Sequence, residues 1–335
     1  MARGRVYNRT FTPEKWEKVS KKNKDILTDF LAEYRQRKKA KGTIDGYFQD
    51  LRILFIYIME NLDNRCILEL NKKDFRGVVL SLSEDMDLST SRVNRMKSAV
   101  NSMLTFCEED DDYEYEVNYA KKVAGLPKQR VRDNEDDFFF TYDEFIKVRD
   151  ILVEKEDWQN VVLWSIGFDS AGRKNELFQI DKHKLLDGNK TNIVVGKRSK
   201  KFPLVYLDDT KEFIRKYLEV RGDDEIDSLW IKGTGKDKTS VTPNSLYDRI
   251  VSISKILSKV RGDECNIFVH TMRHARVECL LQGADDRLKN ADGTNRKYSI
   301  DEVRVFCHHG DISTTASYAK DHSEDTINDM FGIIV

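Results

Sequence analysis

His270-Thr271-Met272-Arg273-His274 sets a histidine and an arginine three residues apart, neighbours on one face if the segment is helical. Downstream, Cys307-His308-His309-Gly310-Asp311-Ile312-Ser313-Thr314-Thr315-Ala316-Ser317-Tyr318 places a tyrosine nine residues after a histidine, across a turn signal and a helix start. The guanidinium fork of arginine matches phosphate oxygens. Well upstream, Gly172-Arg173-Lys174-Asn175-Glu176-Leu177 supplies another arginine beside a carboxylate able to hold its side chain. Between these segments, the β-branched and aromatic runs 191–196 (TNIVVG) and 202–207 (FPLVYL) flank the basic turn Lys197-Arg198-Ser199-Lys200-Lys201, which reads as a hairpin with cations at its tip. Brought together, these residue types suggest phosphoryl transfer from DNA to a tyrosine.

Away from these motifs the chain is mostly helical in pattern. Residues 26–34 (ILTDFLAEY) are amphipathic, and Thr43, read as a cap, opens a segment running through Leu51, Leu54, Phe55 and Ile58. A third run starts at Ser89-Thr90-Ser91 and lines up Val93, Met96, Val100, Met103 and Cys107, leaving Arg92, Arg95 and Lys97 on its flank. Residues 124–137 (AGLPKQRVRDNEDD) combine Gly, Pro and dense charge without apolar periodicity and read as a linker. Beyond it, Thr141 with Glu144 forms a capping-box signature, 158–180 is largely apolar and helical with a break at 169–172, and helical patterns return at 245–260 and 271–282. Residues 287–297 (RLKNADGTNRK) read as a polar insertion. The expected fold is mainly α with a small antiparallel β-sheet, an α+β chain. It divides into a basic segment 1–23, a helical domain 24–124, a linker 125–138 and a second domain 139–335.

Composition narrows the function classes. The 335 residues are 39% hydrophobic and 34% charged, which excludes collagenous or low-complexity chains. No apolar run is long enough to span a bilayer, and the first residues are polar rather than signal-like, so a cytoplasmic protein with no membrane partner is expected. Five scattered cysteines lack C-x-x-C spacing, arguing against a disulfide framework or a cysteine zinc site. A net charge of −1 conceals an asymmetric distribution: residues 1–41 carry 13 Lys/Arg against 5 Asp/Glu, while 108–116 (EEDDDYEYE) is acidic. Because phosphates are neutralised locally, the average does not exclude nucleic acid.

The second half resembles the catalytic domain of the tyrosine recombinases, the phage-integrase and Xer-like family. That family carries an arginine in a T-G-L-R-x-x-E-L-like segment, a hairpin lysine, an H-x-x-R pair, a histidine before a T-T pair, and a tyrosine shortly after. Arg173, Lys197 in Val195-Gly196-Lys197, His270 with Arg273, His309 and Tyr318 match those positions in order. Lys200 and Lys201 share the lysine's turn, and His308 stands where the family has a glycine. Ala171-Gly172 replaces the usual Gly-Leu, and the insertion lengthens the interval between His270 and His309. The first half resembles the family's helical core-binding, SAM-like domain, with 42–51 (GTIDGYFQDL) and 91–107 (SRVNRMKSAVNSMLTFC) similar to its DNA-facing helices.

The resemblance implies a site-specific recombinase or integrase of a phage or mobile element, with type IB topoisomerase-like chemistry. Arg173 and Arg273 would bind the scissile phosphate, His309 would donate to it, His270 would accept the phenolic proton, and Lys197 would protonate the departing 5′ oxygen. Tyr318 would carry a 3′-phosphotyrosyl link, with no metal or other cofactor required. Lys39, Lys41, Thr43, Arg92 and Arg95 would face double-stranded DNA, gripped between the two domains. Four protomers would assemble on two sites, with segment 331–335 (FGIIV) exchanged between subunits or folded back, and an accessory directionality factor is a further expected partner. Two other classes share part of the pattern. A zinc hydrolase lacks its general base, because Thr271 stands where H-E-x-x-H needs a glutamate. A DNA-binding regulator on the same fold, with little strand exchange, is the alternative.

Overall fold

The computed structural model describes residues 10–127, 139–316 and 318–319. Most of the linker and the tail segment 331–335 lie outside the described residues, as does the start of the basic segment. The chain forms two compact units, Met1–Arg130 and Val131–Val335. Most of the described residues are helical, and the only sheets among them are two antiparallel pairs of strands. No helix among the described residues is long and apolar enough to cross a membrane.

The first unit is built from α1 (Pro13–Lys18), α2 (Lys21–Gln36), α3 (Lys41–Asn61), α4 (Lys72–Leu80) and α5 (Thr90–Glu109). In α3 the residues Leu51, Ile53, Leu54, Phe55, Ile56 and Ile58 are all buried, so this half of the helix is apolar all round and forms the centre of the domain. Around it pack Phe30 and Leu31 of α2, Phe75 and Val78 of α4, and Val93, Met96, Val100 and Met103 of α5. Side-chain caps fix several starts: Ser20 accepts from Asn23 N, Ser89 from Arg92 N, and Asn71 forms a capping box with Asp74. Thr43 does not cap α3. The helix begins earlier, with Ala40 at the N-cap and no side-chain cap bond, and Thr43 N bonds to the Ala40 carbonyl inside the first turn.

The second unit contains α6 (Tyr142–Glu154), α7 (Trp158–Ser170), α8 (Lys174–Phe178), β1 (Lys190–Val195), β2 (Lys201–Val205), α9 (Asp208–Arg221), β3 (Ile231–Lys232), β4 (Thr239–Ser240), α10 (Pro243–Arg261), α11 (Val269–Gln282), α12 (Ile300–Phe306) and α13 (Ile312–Ala316). Thr141 and Glu144 form the expected capping box at α6. From Asn160 to Ser170 every residue of α7 is buried, which makes it the central helix. Its last turn ends at Ala171 in the left-handed region, φ 49, and the chain re-enters a helix after Arg173. The hairpin pairs Val194 with Phe202 and Val195 with Lys201 around a short 3-10 turn, Lys197–Ser199. Strands β3 and β4 are two residues each, too short to leave a period in the sequence.

Residues 287–297 are not uniformly a solvated insertion. A small excursion with a Lys289↔Asn295 bridge does project, but Arg287 at its base is largely buried and paired three ways.

Candidate active site and nucleic-acid interface

Arg173 is placed by the turn between α7 and α8. Its backbone N–H donates to Glu176 Oε2 at 2.8 Å and its guanidinium to Oε1 at 3.0 Å, so the buried Glu176 fixes both the backbone and the side chain. One turn into α11, Arg273 is 2% exposed. Its Nη1 donates to the Ala171 carbonyl and its Nη2 to the Cys307 carbonyl at 2.7 Å, joining the α7–α8 turn to the loop after α12. The same Nη2 lies 2.6 Å from His309 Nε2. None of these acceptors is a carboxylate, no ion pair is formed by Arg273 among the described residues, and its buried Nε–H has no partner there. Burial, reinforced by the nearby Arg173 charge, lowers its pKa from the usual arginine value.

His309 is 5% exposed. Because an arginine can only donate, Nε2 is the acceptor from Arg273, and Nδ1–H donates to Thr315 Oγ1 at 2.9 Å. Burial first, then the Arg273 and Arg173 charges, push the His309 pKa down to about 3, so the ring is neutral at neutral pH. In this arrangement His309 accepts rather than donates at Nε2, unlike the role expected for it on a phosphate.

Tyr318 follows α13 after a turn in which its N–H bonds to the Thr315 carbonyl at 2.9 Å. Its ring is 8% exposed and sits among the other predicted residues: 5.0 Å from the His270 ring, 5.2 Å from His309 and 5.3 Å from the Arg273 guanidinium. His274, absent from the predicted set, is closer still at 4.5 Å. Its i,i+4 spacing from His270 was the signal for it. The structure therefore brings Arg273, His270, His309 and Tyr318 of one chain together, and holds Arg173 nearby on the same turn as Ala171.

Lys197 lies exposed on the hairpin turn, with no hydrogen bond or ion pair among the described residues. Lys200 instead reaches the His308 carbonyl at 3.3 Å. Gln179 anchors the first strand through two bonds to Val195, 2.9 Å from its N–H and 3.0 Å to its carbonyl. Behind the site runs a buried ion network that the sequence did not disclose. Asp285 pairs with Arg276 and Arg287, and Arg287 continues to Asp169 at 2.8 Å. Burial alone would raise the Asp285 pKa, but the two arginines hold it at about 2. Asp169 also accepts from Leu207 N and Thr210 Oγ1, so the end of α7 is pinned just before the Arg173 turn.

In the first unit, Lys39, Lys41 and Thr43 are exposed around the start of α3. On α5, Arg92 and Arg95 both place Nη2 on the same oxygen of Asp50, at 2.6 and 2.8 Å. The Asp50 side chain is 1% exposed against 28% and 49% for the arginines, and its second oxygen has no partner among the described residues. A carboxylate inside the apolar stripe of α3 was the sequence signal for this clasp. Burial, outweighing Arg95, raises its pKa to about 6. A carboxyl raised in this way favours folding below its unfolded pKa and loses that contribution as pH climbs through its folded value. Relative to Asp50→Asn, the wild type is expected to lose about 1–3 kcal/mol of urea stability between about pH 4 and pH 7. A wild-type-to-variant difference that stays constant across that range contradicts the assignment.

The fold is that of the tyrosine recombinases. XerH bound to palindromic difH substrate in a post-cleavage complex superposes with TM-score 0.64 at 15% identity, over 96% of this chain and 92% of that one. A lambda integrase tetramer bound to a Holliday junction gives 0.61 at 12% identity, over 89% and 77%. Sequence likeness also runs nearly end to end. The SPbeta prophage-derived recombinase-like protein YomM of Bacillus subtilis (strain 168) is 24% identical over 92% of this chain and 90% of its own. Tyrosine recombinase XerC of Treponema denticola is 24% identical over 87% and 92%. No protein-family model matches the chain. In sequence and in fold alike the chain is similar to tyrosine recombinases.

Proposed function

We propose that the chain is a site-specific recombinase or integrase of a phage or mobile element, which cleaves and rejoins DNA through a 3′-phosphotyrosyl intermediate on Tyr318. The observation that carries this reading is Arg273: a buried guanidinium satisfied only by carbonyls and a neutral imidazole, with its Nε–H unspent, beside a tyrosine ring. Burying a charge without an ionic partner is costly, and an arriving phosphate supplies that partner.

On this reading Arg273 and Arg173 bind the non-bridging oxygens. They stabilise the charge that develops on phosphorus and favour ionisation of Tyr318, a group with an ordinary pKa of about 10. His270 takes the phenolic proton. Lys197, exposed on the hairpin turn, gives a proton to the 5′ oxygen as it leaves. The 5′ hydroxyl of a second strand then attacks the phosphotyrosyl ester and restores the phosphodiester. The first unit binds duplex DNA through Lys39, Lys41, Thr43, Arg92 and Arg95, and affinity falls steeply with salt. The lambda integrase tetramer on a Holliday junction supports assembly of four protomers on two sites.

The test is a nicked suicide duplex carrying the sequence that the full-length protein selects from a randomised pool. A covalent band on a denaturing gel supports the recombinase. Tight binding with no band from the wild type supports the regulator instead.

A further inference from the structure

His308 holds a backbone conformation that L-residues avoid, φ 54, on the loop between α12 and α13. Glycine occupies such a conformation freely, whereas a side chain there costs about 1 kcal/mol. The histidine at this position makes two contacts that glycine could not both provide. Its ring stacks on Phe202 of β2, with centroids 3.7 Å apart and planes at 26°. Its carbonyl accepts from Lys200 Nζ at 3.3 Å.

Those contacts fall on the far side of the lysine turn from Gln179. One strand of the hairpin is held at Val195 by Gln179, and the other is held at Lys200 and Phe202 by His308. The residues on either side of His308 belong to the arginine cluster, since the Cys307 carbonyl and the His309 ring both receive Arg273 Nη2. Space beneath the turn is already filled: a Cβ on Gly196 would lie 2.8 Å from the Phe202 ring and 2.9 Å from Glu176 Oε1. The hairpin thus rests directly on the Arg173–Glu176 pair, and His308 closes it from the opposite side.

We propose that His308 is a positioning residue, clamping the lysine hairpin onto the arginine–histidine cluster so that Lys197 meets the leaving 5′ oxygen. The inference rests on the reaction proposed above. In the cleavage step a bond forms from Tyr318 Oη to phosphorus and the bond from phosphorus to O5′ breaks. The electron pair left on O5′ takes a proton from the Lys197 ammonium, which becomes a neutral amine. Burial lowers the His308 pKa from its usual value, and a neutral ring can lie against Phe202 and near Lys200 without repulsion.

This assignment makes the effect of His308 depend on the leaving group. A sulfur in place of O5′ departs as a thiolate and needs no proton, because thiols ionise near pH 8.5. Two nicked duplexes of the selected sequence, one with a bridging 5′ oxygen and one with a bridging 5′ sulfur, are compared with the full-length protein. On the oxygen substrate, His308→Gly is expected to slow covalent-complex formation by about 10–100-fold, within the range for a displaced general acid. On the sulfur substrate it should act within a few-fold of wild type, as should Lys197→Ala. His308→Phe keeps the stack and should recover most of the oxygen rate. The double variant Lys197→Ala/His308→Gly should be no slower than Lys197→Ala alone. Equal slowing by His308→Gly on both substrates, or no slowing on either, overturns the clamp. A wild type that forms no adduct with either substrate overturns the reaction on which the clamp depends.

Discussion

Tyr318→Phe is expected to remove covalent-complex formation altogether, a loss of the order of 10⁴-fold or more as for other nucleophile deletions, while duplex binding is retained. The substitution takes away one oxygen and little else. The ring keeps its packing against His270, His274 and His309, and the hydroxyl makes no hydrogen bond among the described residues, so stability should move by no more than about 0.5–1 kcal/mol. Thermal unfolding and a gel-shift titration alongside the cleavage assay separate chemistry from folding. A variant that still forms the adduct would place the nucleophile elsewhere.

Arg273→Lys is expected to have the next largest effect. Arg273 uses two nitrogens to join the Ala171 carbonyl, the Cys307 carbonyl and His309, and keeps its third nitrogen, Nε, unspent. A lysine keeps the charge but cannot serve these positions and a phosphate together. Losing a preorganised donor to the transition state typically raises the barrier by about 3–4 kcal/mol, so cleavage should slow by about 10²–10³-fold. A carbonyl left unsatisfied would cost a further 1–3 kcal/mol or so of folding stability. Duplex affinity should change by less than about tenfold if, as proposed, the first unit makes most of the DNA contacts. If instead affinity collapses and the cleavage rate at saturating DNA is unchanged, Arg273 serves ground-state binding alone.

Much of this architecture was legible in the residue pattern because the relevant signals are local. The β-branched and aromatic residues of 191–196 and 202–207 around a basic turn marked the hairpin, and Thr141 with Glu144 marked the start of α6. The helical pattern read over 271–282 covers most of the HTMRH run, and the family's ordered motifs supplied the candidate set. What escaped was decided by tertiary partners. Thr43 has the chemistry of a cap, but α3 extends three residues further back, with Ala40 at the N-cap and exposed Lys41 and Gly42 in helical geometry. Arg287 sits in a polar stretch and looked solvated, yet three carboxylates from separate elements converge on it. Asp50 and His308 are visible in the sequence as a carboxylate in an apolar stripe and a histidine in a glycine's place, but their partners, Arg92 and Arg95 in one case and Phe202 in the other, are set by the fold. The resemblance singles out Lys197 on the hairpin from its Gly-Lys position. Four cations share that turn, and the fold adds that Lys200 reaches the His308 carbonyl.

The central claim is that a DNA phosphate becomes bonded to the Tyr318 oxygen. The most direct measurement is to trap the wild-type protein on the nicked duplex, digest protein and DNA, and locate the attached nucleotide by mass spectrometry. The account predicts a 3′-phosphonucleotide on the peptide that contains Tyr318. A nucleotide on any other residue, or a wild type that saturates its duplex and yields no adduct, contradicts it.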